Sequence, residues 1–152
     1  MFIRKLMAAY FTAWTLIFLF SFPFMGGMGG GRDLENYMGW VGLVAAYAVP
    51  GSFVYGVGLS ALLEGAFRAW GRRGPGAWLL SGMLHVLTGF LFGFVVDSSL
   101  FSILGGTAAV IYFGYDRWID WRAAHTPLRI RWLLAAVPVL LFGAVALLLY
   151  LL

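Results

Sequence analysis

Apolar residues in this chain are gathered into long runs instead of recurring singly between polar ones. Five runs stand out, at residues 6–25, 40–67, 77–96, 100–115 and 132–152. About 20 residues of helix cross the hydrocarbon of a bilayer, so four of the runs are long enough and 100–115 is marginal. The pattern predicts an all-α integral membrane protein, one domain over 1–152 built as a bundle of five transmembrane helices. The alternative is four spans with 100–115 as a re-entrant segment, which would reverse the direction of the last span.

Composition strengthens the membrane reading. Hydrophobic residues make up 62% of the 152 positions and charged residues only 11%, whereas soluble domains run at about 25% charged. So little polar surface does not cover a globule in water. There is no cysteine, which excludes disulfides, thiol catalysis and thiolate metal sites.

The net charge of +4 acquires meaning from its position. Arg4 and Lys5 precede the first run, Arg68, Arg72 and Arg73 follow the second, and Arg117, Arg122, Arg129 and Arg131 lie between the fourth and fifth. Only Arg32 falls in a loop of opposite parity, beside Asp33 and Glu35. Cytoplasmic loops concentrate Lys and Arg, so five spans place the N-terminus inside and the C-terminus outside a bacterial cytoplasmic membrane. The charge is then topological, and nucleic acid is not an expected partner. Trp70, Trp78, Trp118, Trp121 and Trp132 all fall near the inner boundaries, where indole rings favour the headgroup layer. The first run is long and aromatic and lacks a small-residue cleavage site, so it is read as a retained span, not a signal peptide.

The loops carry little chemistry. "GGMGGGRDLEN" has neither the GK[ST] ending nor the strand-to-helix context of a phosphate loop and reads as a flexible exit from the bilayer. "DRWIDWRAAHTPLRIRW" places Asp116 and Asp120 on one helical face, interleaved with arginines. Two carboxylates are too few for a divalent cation without further oxygen ligands, so the segment is expected to lie at the interface with its charges solvated. His125, before a turn, reads as a loop residue.

The more informative residues are inside the runs. Ser52, Gly56, Ser60 and Glu64 recur at every fourth position after a kink expected at Pro50. Ser81, His85, Gly89, Gly93 and Asp97 do the same in the next run, where "GFLFG" is a literal G-x-x-x-G. Helices in lipid associate through close approach at small residues, so the two columns are expected to pack against each other as an antiparallel hairpin. At about 1.5 Å per residue, His85 lies about 10 Å inside the inner boundary, within reach of Glu64 or Ser60. Intramembrane ionisable groups are costly and prompt a functional question, although Arg68 stands one turn from Glu64 and can pair with it. Asp97 is expected near the outer surface, capping the following helix.

Catalysis has no support here. Ser81 and His85 lack an accompanying oxyanion site, and neither G-x-S-x-G nor H-E-x-x-H occurs. No catalytic, cofactor or metal-binding residue is assigned. The expected function is non-enzymatic: helix–helix contact within the lipid bilayer, as a homo-oligomer or as a small subunit of a membrane complex. The alternative is a small channel or proton- or ion-coupled transporter using Glu64 and His85.

"VPGSFVYGVGLSALLE", "LHVLTGFLFG" and "AAVIYFGYDRWI" together resemble a family of uncharacterised small multi-pass membrane proteins of Gram-positive, spore-forming bacteria. The resemblance covers residues 45–120 and rests on Pro50, Tyr55, Gly56, Ser60, Glu64, His85, Gly89, Asp116 and Arg117. The family pattern has four spans, so the run from Trp132 is additional. What the resemblance implies is a bacterial multi-pass membrane protein, with no activity attached.

Overall fold

A computed structural model describes residues 2–24, 34–71, 74–95, 97–123 and 128–151. The glycine-rich loop at 25–33, His125 and Leu152 lie outside the described residues, as do the surroundings of Gly93. The described residues are helical and contain no strand. They form α1 (Phe2–Phe24), α2 (Leu34–Pro50), a π-helical segment (Gly51–Gly56), α3 (Val57–Ala69), α4 (Pro75–Val95), α5 (Ser99–Ala123) and α6 (Leu128–Leu151). Three stretches are long and apolar enough to cross a membrane: Phe2–Ser21, Leu34–Ala69 and Trp132–Leu151. The apolar part of α4, Gly76–Phe92, is shorter.

Pro50 does not break its helix. Proline removes one backbone donor from the helical ladder, and the next six residues widen into π-helical turns before α3 resumes the α-helical course. A widened turn accommodates the lost bond, so helical structure runs on from α2 into α3.

α1 is the central element, touching α2, the π segment, α3, α5 and α6. Its sequence permits this because Ala8, Ala9 and Ala13 are buried small residues that let neighbouring backbones come close. One core cluster joins Ala8 and Ala9 to Val57 and Tyr112. A second joins Leu16 and Ile17 to Ala48, with Ala108 and Ile111 of α5 packed against it.

The segment from Asp116 to Ala123 departs from expectation. Instead of an interfacial loop helix it continues α5, a single 25-residue helix about 38 Å long at about 1.5 Å per residue. Polar residues extend a helix readily when one face has partners, and Asp116 has them. α6 lies at the rim. It is attached through the Tyr10 hydroxyl, which donates to the Ala135 carbonyl at 2.7 Å, and through Phe142 against Trp14 and Tyr37.

Candidate functional site

Two of the expected columns are interior, but they do not face each other. Ser52, Gly56 and Ser60 are buried on the π segment and α3, and His85 and Gly89 are buried on α4. Gly56 of the first set and His85 and Gly89 of the second turn toward α5. A Cβ at Gly56 would stand 2.9 Å from the Tyr112 ring, while the His85 imidazole stacks on Tyr112 with centroids 5.3 Å apart. Tyr112 therefore occupies the space in which Glu64 was expected to meet His85.

The α4–α5 seam has its own register. A Cβ at Gly82 would meet Phe113 at 2.8 Å, and one at Gly89 would meet the Gly105 carbonyl oxygen at 2.5 Å and the Ala109 methyl at 2.8 Å. Buried positions 82, 85 and 89 step by three and four residues, a straight stripe on an α-helix. The strict four-residue column was the wrong period, and so its ends diverge from the seam. Ser81 is only part-buried, and Asp97 is exposed in the turn before α5 with φ 50°. Asp tolerates that left-handed conformation better than most residues.

The charged groups gather elsewhere than expected, at the meeting of the α1 start with the ends of α3 and α5. Lys5 is buried, and its ammonium reaches three acceptors: Glu64 Oε2 at 2.9 Å, Ser60 Oγ at 2.6 Å and the Ser60 carbonyl at 3.3 Å. That matches the three donors an ammonium carries. The Arg4 Nε donates to Asp116 Oδ1 at 2.8 Å, and its Nη2 reaches Asp116 Oδ2 at 3.3 Å and Glu64 Oε2 at 3.2 Å. Its Nη1 pairs with Asp120. A planar guanidinium suits such forked pairing. Arg117 adds a second cation to Asp116, at 2.9 Å, and Arg68 forms the expected one-turn pair with Glu64, at 2.6 Å. Tyr112 closes the cluster by donating its hydroxyl to the Lys5 carbonyl at 3.3 Å.

This overturns two expectations. Glu64 is held by Lys5, Arg4 and Arg68, not by His85. Asp116 is not solvated; it is 1% exposed. By sequence alone Arg4 and Lys5 look like mere flanking charges, and nothing sets Tyr112 apart from the other aromatics. A signal was present: Glu64, Asp116 and Asp120 are the only acidic residues assigned to the inner side, and all three find Arg4.

Chemically, the arrangement sets four cations, Arg4, Lys5, Arg68 and Arg117, against three carboxylates. Each carboxylate is engaged from another helix. Such a cluster fastens α1, α3 and α5 at one level. No known protein family matches this chain, and neither does any curated protein or solved structure.

Proposed function

We propose that the chain is a five-span protein of the bacterial cytoplasmic membrane, N-terminus inside and C-terminus outside, that acts by helix–helix contact as a homo-oligomer or a small subunit of a membrane complex. The observation that carries this reading is the closure of the charge cluster. Glu64, Asp116 and Asp120 are bound to cations of their own chain, so these charges, Asp116 the most deeply buried of them, serve as fasteners between helices. Many large apolar side chains are left facing outward, above all along Trp132–Leu151, an apolar stretch that the rest of the chain does not bury.

Purification in mild detergent tests the function. The expected result is a particle containing more than one 16.7 kDa chain, or a second protein in fixed ratio. A lone chain that carries ions across vesicle membranes would overturn it in favour of the transport alternative.

The topology has its own support. Arg4 begins α1, Glu64 lies near the end of α3 and Asp116 near the end of α5, and all three are bonded together. Helices that start and end at one level in this order alternate in direction, as successive spans do. A reporter enzyme active only outside the cell should work when fused after Leu152 and fail when fused after Arg122. Inactivity of the Leu152 fusion would overturn the fifth crossing.

A further inference from the structure

A groove of about 460 Å³ opens along the surface where α1 meets α5, lined by Thr15, Ile111, Gly114, Tyr115 and Trp118. Its two hydroxyls, Thr15 Oγ1 and Tyr115 OH, lie 2.9 Å apart and satisfy each other, so what the groove offers an occupant is apolar. Gly114 is exposed, and a Cβ there would meet nothing within 4 Å. Its missing side chain therefore admits no neighbouring helix; it leaves the groove floor empty.

The groove has a charged end. At about 100° per residue, Ile111, Tyr115, Trp118 and Arg122 fall within about 60° of one another on α5. The lining face thus runs down the helix and ends at Arg122, one turn beyond Trp118. Arg122 is exposed, with its guanidinium over the Trp121 ring at 4.6 Å. Asp116 and Asp120 project from the opposite face of α5 into the Arg4 cluster, so they do not neutralise it. An open, mostly apolar groove, with tryptophans and a cation at one end, complements an amphiphile with a negative head.

We propose that this groove holds an acyl chain of an anionic phospholipid whose phosphate sits on Arg122. Guanidinium pairs with phosphate oxygens through parallel N–H donors, and basic residues at the inner surface attract anionic lipid. The occupant contributes no covalent chemistry; it fills the α1–α5 surface at the level of Trp118. The inference rests on α5 lying in the bilayer, and not on the number of chains in the particle.

The test is lipid retention by the full chain purified in detergent and offered phosphatidylglycerol and phosphatidylcholine in equal amounts. The wild type should retain phosphatidylglycerol by about fivefold over phosphatidylcholine. Arg122→Gln should erase the preference while still retaining lipid, and Gly114→Leu should lose retention of both. Gly143→Leu, at another open glycine, should behave as wild type. Both key positions are exposed, so unchanged unfolding midpoints are expected to accompany the loss. Equal retention of the two lipids by the wild type, or a preference that survives Arg122→Gln and Gly114→Leu, would overturn the proposal. A particle containing a single chain would count against helix-contact function and leave this readout intact.

Discussion

Gly89→Leu should destabilise the protein by about 3 kcal/mol or more in detergent unfolding, while Gly143→Leu stays within about 0.5 kcal/mol of wild type. The reason is what each new side chain meets. At Gly89 even the first carbon of a side chain lands 2.5 Å from a backbone oxygen of Gly105 and 2.8 Å from the Ala109 methyl. Neither can swing aside as the tip of a long side chain would, so α4 and α5 must separate. At Gly143 nothing lies within 4 Å, and a leucine facing hydrocarbon gains as much as it loses. Gly105→Ala should behave like Gly89→Ala, because each glycine faces the other's backbone. Once one alanine has parted the helices the second costs less, so the double change should be sub-additive. Equal unfolding midpoints for Gly89→Leu and Gly143→Leu would show that the seam is not where the fold is tight.

The same seam shows what the sequence discloses and what it hides. The apolar runs marked where each helix lies, but not always its length: α5 runs on from 100–115 to Ala123 because its polar end finds partners. The small residues in 77–96 announced a close contact, and the contact exists. Its partner was misassigned. "LGGTAAVIY" in the next run holds Gly105 and Ala109 one turn apart, as good a signal of close helix contact as "GFLFG". Periodicity names a face; it does not name what the face meets.

The charges were harder to place for a physical reason. Arg4, Lys5, Asp116 and Asp120 flank the apolar runs 6–25 and 100–115, a position that reads as solvated. Whether such residues are solvated depends on whether three helix ends converge there, and convergence is a property of the tertiary packing. Only the inventory of inner acids hinted at it. Tyr112 was invisible for a related reason: a tyrosine in an apolar run looks like any other aromatic until Gly56 and His85 are seen to leave room for it on either side.

Asp116→Ala is expected to cost about 3–5 kcal/mol, the usual penalty for removing one partner of a buried ion pair, whereas Arg68→Ala should cost about 0.3–0.5 kcal/mol. Both residues make a short ion pair, so distance does not separate them. Burial does. The Asp116 side chain is 2% exposed and faces Arg4, itself 16% exposed, while Arg68 is 63% exposed on a one-turn pair. Losing Arg68 leaves Glu64 with Lys5 and Arg4, and water solvates the vacated edge. Losing Asp116 removes the acceptor of two Arg4 donors and of Arg117 Nη2 at once, deep enough that water does not readily replace it. Asp116→Asn keeps the shape and one acceptor oxygen, so its cost should fall between the two. Combining Asp116→Ala with Arg4→Met should cost less than the sum of the single changes, since the second removes the charge that the first left stranded. Equal midpoints for Asp116→Ala and Arg68→Ala in detergent would mean that water already reaches Asp116. The cluster would then be a solvated surface network, and the fastening role on which the functional reading rests would go with it.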